Sequence, residues 1–574
     1  MKRDNYIYGM MAAAALLAAS CTDFDDYNKA YTNVSEESTR TLWQNITERK
    51  DLTQFAAIAK KAGYDAELNS SRCLTVWAPV DNTYDYQRYL DMDVDSVKMK
   101  FMENHIANYA FTITGESKNE RVHTLNNKSY LFANGEAGGY TFDGIAMQGN
   151  GTPCVNGMLH VISGEVPFFP SLYESIMEKS GTGVDSIVNY YKKYATSELD
   201  KTQSIEGPIV DGKQTYLDSV MVENNALFRS LRANISLEDS SFTMALPTDE
   251  AYDEAYKTIS KLYKYPSKLE WKEVSPLLAG PSPSVSSVTV DADLNDSITR
   301  RSIASNLIFS NNNWYNYWLT DKPQTWQRDS LVSSMRNILS NGPEFLYGHK
   351  VSEEKNSNGK TIIIDSLAML PWETYNPEIS VPIFSSHYRP YNNTNTSTLS
   401  TIFLTDDQID KSKKGSIVYN EGDTVVIRQY LEFKAASERV SPQVYFYVPD
   451  VRATKYNVYV VFVPARYALG STEAEKLYKV DFSICYADAN GKFLSSPKTY
   501  SKVTSADSSN VDMVKMCEVE FPVSYYNQNA YPYISIKSSR NFRTESGKYD
   551  NTLRIAAILF RPVEYDEYLN SKNQ

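Results

Sequence analysis

The feature that most limits the fold is a pair of buried strands that occurs twice along the chain. In the first copy, Leu74–Pro79 is an apolar run that ends at a proline, which predicts a buried strand with a fixed end. Asp81 follows as a candidate helix cap. Asn156-Gly157 then marks a turn into a second apolar strand. Segments of the same character recur at Phe242–Pro247 and after Asn358-Gly359, so the sequence predicts two domains of one mixed type.

These segments resemble the conserved motifs of the fasciclin family. Residues 74–79 with Tyr84 are similar to its first motif, residues 105–109 to its central helix-end motif, and residues 156–162 to its second strand motif. The resemblance implies a fasciclin-like α+β domain over about residues 39–168.

A second, divergent copy of the pattern follows. Residues 242–252 resemble the first motif, residues 303–309 fit the central motif without its histidine, and residues 358–365 resemble the closing strand. The resemblance implies a second fasciclin-like domain in tandem, at 169–377, with an insertion at about 257–299. Because added loops commonly carry function, we expect this domain with its insertion to hold partner contacts, together with the C-terminal β-domain that follows it. The first domain is expected to act mainly as a spacer.

From about residue 390 the chain changes to short runs of β-branched and aromatic residues. Examples are Val444–Val448 and Tyr456–Val463. Polar turns separate the runs and no helical period is present, which predicts an all-β sandwich over 390–574. The last apolar run resembles the final strand of carbohydrate-binding jelly rolls, so a jelly-roll-like arrangement is expected.

The N-terminus predicts export and a lipid anchor. A short basic start and an apolar run from Ile7 to Ala19 form a signal peptide over 1–20. The small residues before Cys21 resemble the bacterial lipobox, which implies that Cys21 is lipidated. The acidic stretch Thr22–Asp26 opens a lipidated, acidic tether over 21–38, and it resembles the signal that sends Bacteroidota lipoproteins to the exterior face of the outer membrane. The alternatives are an ordinary secretory signal and a tether that is acidic only for solvation.

Composition narrows the function classes. The chain has 574 residues and a net charge of −12, which argues against nucleic-acid binding because phosphate recognition needs a basic face. Its five histidines and five cysteines show no metal-ligand spacing, and no G-x-S-x-G or H-E-x-x-H motif is present. We therefore predict no cofactor, no metal site and no enzymatic activity, and we interpret the histidines in the fasciclin motifs as structural.

Export permits disulfides, so two interpretations of the four cysteines after Cys21 remain open. Cys73 with Cys154, and Cys485 with Cys517, are each either a bridged pair or two buried thiols.

Two aromatic clusters are the candidates for ligand or partner contact. One is Trp314, Tyr315, Tyr317 and Trp318, which lie among asparagines, and the other includes Tyr531 and Tyr533. Flat rings stack on sugars and peptides, while amides donate and accept hydrogen bonds. Trp314 and Trp318 are four residues apart and are expected to share a helix face. The alternative is that the rings anchor the cores of their domains.

A further pattern is Asp followed by Ser or Thr and an aliphatic residue, which resembles the O-glycosylation acceptor motif of exported Bacteroidota proteins. The acceptors that the resemblance implies are Ser96, Ser186, Ser219, Ser297, Ser330, Ser366 and Thr424. The alternative is that Asp and Ser serve as helix caps and turn residues.

Together these features predict a lipid-anchored binding protein on the outer membrane, facing the cell exterior. The resemblances imply an accessory subunit of a starch-utilisation-type uptake complex, whose partners are an outer-membrane transporter and companion lipoproteins and whose ligand is a glycan or peptide. The alternatives are a surface adhesin and a surface hydrolase with its site in the C-terminal β-domain.

Overall fold

A computed structural model describes most of the chain from residue 39 to residue 572. It leaves out residues 114–118, 136–138, 200, 202–204, 211, 219–220, 276–279, 321–328, 385–395, 406–415, 421–422, 466–474 and 526–529. The signal peptide at 1–20, the tether at 21–38 and Cys21 lie outside the described residues. Contacts group the described residues into two compact units. The first runs to Glu178 and adds Asn234–Phe242 and Glu354–Thr361, and the second comprises Lys179–Ala233, Thr243–Glu353 and the chain from Ile362 onward.

The first unit begins with short helices packed on one face of a sheet. These are Leu42–Glu48, Thr53–Lys61, Tyr64–Leu68, Tyr86–Asp91 and Val94–Val97. A further helix, Leu172–Glu178, ends the segment that runs to Glu178. The first helix starts at a capping box, in which Thr41 and Gln44 each accept the other's backbone N–H. A π-helical turn at Lys98–Met102 and a 3₁₀ turn at Glu103–His105 lead into the sheet.

Two four-stranded sheets complete this unit. The first has the order Ile106–Asn108, Leu74–Pro79, Gly157–Ile162, Thr152–Cys154. Its two central strands are parallel and every one of their residues is buried, as the apolar runs predict. The second sheet is antiparallel, with strands Asn119–His123, Ser129–Asn134, Tyr140–Phe142 and Ile145–Ala146.

The second motif copy contributes another four-stranded sheet. Its order is Ile308–Ser310, Phe242–Pro247, Gly359–Ile364, Lys350–Asn356. The helices of this region are Asp185–Lys192, Ala226–Ser230, Asp249–Ile259 and Leu294–Ala304. Shorter turns are Ser260–Leu262, Trp314–Leu319, Glu344–Gly348 and Pro371–Glu373. Two-stranded pairs are Ala195–Leu199 with Met221–Asn225, Ile205–Val210 with Lys213–Asp218, and Leu331–Val332 with Ile338–Leu339.

The two motif copies share one hydrogen-bonded device, which we call the amide clamp. In the first copy, the Asn156 side chain accepts the Leu42 N–H at 2.8 Å and donates to the carbonyls of Leu68 and Ser70. A buried amide bonded on both sides ties the first helix, the helix-to-strand loop and the closing strand together.

The clamp of the second copy is built from equivalent residues. Asn358 accepts the Leu172 N–H at 2.9 Å and donates to the carbonyls of Ile235 and Leu237. The glycine after each asparagine is also required, because a Cβ on Gly157 or Gly359 would lie 1.7 or 1.9 Å from the carbonyl oxygen of the adjoining strand. The two Asn-Gly pairs therefore make the same kinds of contact.

The C-terminal region is rich in strands. A six-stranded sheet contains Ile379–Ser380, Thr396–Phe403, Gln429–Ala435, Leu553–Pro562, Lys455–Phe462 and Asp512–Glu520. A four-stranded sheet has the order Gln443–Tyr447, Tyr533–Ser538, Lys479–Cys485, Lys498–Thr504. A small hairpin joins Ser416–Asn420 and Asp423–Val426, and helix Val563–Lys572 ends the described chain. Side chains of both larger sheets share one buried core.

The insertion at about 257–299 packs on this C-terminal core. Its strands, Lys268–Ser275 and Gly280–Thr289, form a hairpin whose Leu269 is fully buried with the core residues of the C-terminal sheets. The Glu270 N–H donates to the Gly491 carbonyl at 2.8 Å. The base of the hairpin is therefore part of a core, because its apolar residues need burial. That the insertion holds partner contacts stays a prediction.

Candidate functional site

The histidines of the first fasciclin-like motifs are buried and bonded to the backbone. His105 Nδ1 lies 2.8 Å from the Phe101 carbonyl, and its Nε2 accepts the Val166 N–H at 2.9 Å. Burial lowers the pKa of His105 from 6.5 to about 4, so the ring is neutral at physiological pH. His160 Nε2 lies 2.7 Å from the Phe111 carbonyl. These contacts give both rings a structural part in the fold.

The Trp314 cluster lies in a 3₁₀ helix, Trp314–Leu319. Such a helix has three residues per turn, so residues four apart lie about 120° apart around it. The expectation that Trp314 and Trp318 share a face is therefore wrong. Trp314 is 42% exposed and its ring centre lies 3.9 Å from that of Tyr315. Trp318 is half-buried, and its Nε1 donates to the Ser330 carbonyl at 3.0 Å.

The position of this cluster is fixed by a buried asparagine between the rings. Asn316 donates to the carbonyls of Ser310 and Val332 and accepts the Val332 N–H. Tyr317 is half-buried like Tyr315. The cluster thus presents one exposed ring, Trp314, and holds the others partly in the fold.

The two tyrosines of the second predicted aromatic cluster, Tyr531 and Tyr533, also differ in how far they are buried. Tyr533 is 2% exposed and packs edge-on against Tyr445, with 6.1 Å between ring centres. Tyr533 belongs to an inner strand of its sheet and faces a small core that includes Tyr447 and Phe493. The prediction that Tyr533 contacts a ligand or partner is therefore wrong. Tyr531 is half-buried and packs on Tyr447.

The predicted acceptor residues fall in different settings. Ser96, Ser186 and Ser297 lie in the first turns of helices, which agrees with the alternative that Asp-Ser pairs begin helices. Ser330 and Ser366 are half-buried in connecting segments. Ser219 and the side chain of Thr424 lie outside the described part of the chain.

The four described cysteines carry free thiols. They are Cys73, Cys154, Cys485 and Cys517. Burial raises the pKa of all four, to about 11 for Cys154 and about 12 for Cys517. A raised pKa keeps the sulfur in its unreactive thiol form. Among the described residues, no group of three or more His, Cys, Asp and Glu side chains is placed to hold a metal ion.

A cleft of about 400 Å³ in the second unit brings together polar, charged and aromatic side chains. One wall is helix Asp185–Lys192 with the residues that follow it. Positions i, i+3, i+4 and i+7 of this helix share a face, and here they are Ser186, Asn189, Tyr190 and Lys193. Tyr194 completes the wall, and its ring meets that of Tyr190 edge-on at 5.4 Å.

The other wall is helix Leu294–Ala304. The same spacing places Asp293, Asp296, Ser297 and Arg300 on the cleft. Arg300 Nε lies 2.8 and 2.9 Å from the two carboxylate oxygens of Asp296. The Tyr256 hydroxyl donates to the same carboxylate at 2.8 Å, and the guanidinium lies over the Tyr256 ring at 5.3 Å. These contacts hold the charged groups of Asp296 and Arg300 in place.

The cleft differs from an ordinary packing surface between helices. Facing stripes at this spacing normally carry apolar residues that pack in a core. Here both stripes are polar, and their apolar neighbours Ile187 and Ile298 are buried instead. Burial and the neighbouring Tyr194 raise the pKa of Tyr190, so its hydroxyl remains protonated. Sequence reasoning missed this site, although Asp185-Ser186 and Asp296-Ser297 stood out in the sequence.

The described helices include none that is both long and apolar enough to cross a membrane.

Comparison with known proteins identifies one domain. Residues 50–164 match the fasciclin domain family. No curated protein matches the chain. Among solved structures, the chain is similar to a FAS1 domain pair from the insect cell adhesion molecule fasciclin I, with 10% identity, a TM-score of 0.21, and coverage of 57% of this chain and 99% of that one.

Two other solved structures are similar over shorter stretches. A Paenibacillus xanthan lyase shows 14% identity and a TM-score of 0.17, with 37% of this chain and 18% of that one covered. A cellulose-specific carbohydrate-binding module shows 11% identity and a TM-score of 0.14, with 28% of this chain and 83% of that one covered. The chain therefore contains a fasciclin-like α+β domain followed by strand-rich regions with several sheets.

Proposed function

We propose that the chain is a lipid-anchored binding protein on the cell surface. The observation that carries this proposal is the fasciclin domain at residues 50–164, because such domains are adhesion and interaction modules. In this proposal Cys21 carries the lipid, and the protein is an accessory subunit of a starch-utilisation-type uptake complex in the outer membrane. Its partners are a transporter and companion lipoproteins, and its ligand is a glycan or peptide.

The domain organisation proposed with this function has three parts. The amide clamps at Asn156 and Asn358 support a second fasciclin-like domain in tandem with the first, at about 169–377. The shared core of the two C-terminal sheets supports a β-sandwich over about 390–574. The hairpin of the insertion joins that core, so the second and third parts are expected to fold as one unit.

The anchor is tested by replacing Cys21 with Ser. The lipid supplies about 0.8 kcal/mol per buried CH₂, so the variant is expected to leave the membrane fraction. Wild-type protein should stay with membranes after a high-salt wash, which removes proteins held only by charge. A variant that still sediments after that wash would refute lipid anchoring.

The binding function is tested by exposing purified protein to a panel of glycans and peptides. Binding that leaves every panel member chemically intact supports a binding subunit. Release of shorter products would favour the alternative, a surface hydrolase. Adhesion of cells that carry the protein to a matrix, without capture of a transporter, would favour the adhesin.

A further inference from the structure

We propose that the cleft between the Asp185–Lys192 and Leu294–Ala304 helices binds a neutral saccharide. The inference rests on the proposed binding function and assigns its ligand class and its site. The volume of about 400 Å³ lies within the range of small-molecule sites. The cleft lies within a single unit of the chain and is walled by helices, so its geometry is set by rigid elements.

The charges on the cleft balance. Lys193 and Arg300 are opposed by Asp293 and Asp296, and the Arg300 guanidinium is bonded to the Asp296 carboxylate. An anionic or cationic ligand would meet charged groups of its own sign in the same cleft. A neutral ligand meets no such opposition, so the charge pattern favours an uncharged polar molecule.

The uncharged groups on the cleft match the two faces of a sugar. Sugar hydroxyls both donate and accept hydrogen bonds, which suits Asn189, Ser186 and Ser297. The C–H face of a pyranose is apolar and packs on aromatic rings. Tyr194 is half-buried and lines the cleft, while Tyr190 is 6% exposed and supports it edge-on. Tyr194 is therefore the ring on which a sugar would stack.

The same serines have a competing assignment. Ser186 and Ser297 are two of the sequence-predicted O-glycosylation acceptors, and both line the cleft. A glycan attached to either serine would fill the space that a free saccharide needs. The two predictions exclude each other at these residues, so protein with unmodified serines is the correct reagent.

The test measures binding of detergent-solubilised, full-length protein to neutral oligosaccharides by calorimetry. The probes are maltohexaose, xylohexaose and mannohexaose, with a hexagalacturonate as the charged comparison. We expect at least one neutral probe to bind and the hexagalacturonate to bind at least tenfold more weakly. Tyr194→Ala should weaken binding at least tenfold, while Tyr194→Phe should retain most of it because the ring remains.

A matched control separates this site from the other aromatic candidate. Trp314→Ala removes the exposed ring of that other candidate and tests whether the saccharide binds there instead. Phe403→Ala removes an exposed ring that belongs to neither candidate and should leave saccharide binding unchanged. Loss of binding with Trp314→Ala but not with Tyr194→Ala would overturn the site while leaving the proposed function intact. Failure of every neutral probe would overturn the ligand class, and the capture of a transporter by the same protein would show that the proposed function survives. Circular dichroism of each variant confirms that binding changes are not unfolding.

Discussion

The Lys128 ammonium donates to Glu238 Oε1 at 2.9 Å in a setting where only 3% of the Lys128 side chain and 9% of the Glu238 side chain are exposed. Glu174 accepts from the same ammonium at 2.6 Å. Residues far apart in sequence thus meet in one ion triad of the first unit. Such a triad costs desolvation energy, and its loss leaves a charge without a partner.

Removing the cation of this triad should be strongly destabilising. For Lys128→Met we expect a loss of about 3–5 kcal/mol in the free energy of unfolding, because the Glu238 carboxylate stays buried without its partner. Urea unfolding followed by fluorescence measures the change. The control is Arg72→Ala, whose ion pair with Glu67 is exposed, and which should cost about 0–1 kcal/mol. Equal losses in the free energy of unfolding for Lys128→Met and Arg72→Ala would contradict the claim that burial sets the cost of losing an ion pair.

The two amide clamps predict matched effects at distant sites. Asn156→Ala leaves the buried Leu42 N–H and Leu68 carbonyl without partners, and Asn358→Ala does the same to the Leu172 N–H and the Ile235 carbonyl. Each orphaned group costs about 1–3 kcal/mol. Both variants should therefore lower the melting temperature of the chain. The isosteric variants Asn156→Asp and Asn358→Asp keep the acceptor but lose the donors, so they should also destabilise. If Asn156→Ala lowered the melting temperature and Asn358→Ala did not, the result would argue against a structural repeat.

His105 predicts a loss of stability in mild acid. Its pKa in the folded chain is about 4, below the ordinary value of 6.5, so between these values the unfolded chain binds a proton that the folded chain does not. Stability therefore falls as pH drops from 6.5 to about 4, by ~3 kcal/mol from this residue alone. Melting temperatures of His105→Gln should show a shallower slope in this window. His123→Gln, which changes an exposed histidine, is the control and should keep the wild-type slope.

The hairpin of the insertion predicts coupling between the insertion and the C-terminal sheets. Leu269→Ala opens a cavity in the shared core and should cost about 2–5 kcal/mol. Hydrogen exchange should then rise in the C-terminal strands as well as in the hairpin. Val285→Ala on the same hairpin is the control, because Val285 is 52% exposed and should change little. A rise in hydrogen exchange confined to the hairpin in Leu269→Ala would contradict the conclusion that the hairpin is part of the C-terminal core.

Local patterns in the sequence predicted the elements that depend on nearby residues. The buried Leu74–Pro79 strand, the Asn156-Gly157 turn and the strand-rich C-terminus are all found in the structure. The role of the insertion was not predictable in this way, because the partner of Leu269 is a core more than a hundred residues further along the chain. The prediction that Trp314 and Trp318 share a face was wrong because it assumed α-helical spacing, whereas the segment is a 3₁₀ helix.

The cleft shows a second limit of sequence reasoning. Each of its walls is a polar stripe on a short helix, and a polar stripe taken alone indicates only a solvated face. The stripes become a candidate site only because the fold places Tyr194 and Arg300 on the same cavity. That juxtaposition is a property of the tertiary structure.

The central claim, a binding subunit of a surface uptake complex, is tested most directly by affinity purification of the lipidated protein from solubilised outer membranes. Mass spectrometry of the eluate identifies what accompanies it. We expect recovery of a large β-barrel transporter in a constant ratio to the chain, and loss of that transporter from the Cys21→Ser sample. Recovery of the wild-type protein alone would contradict the account.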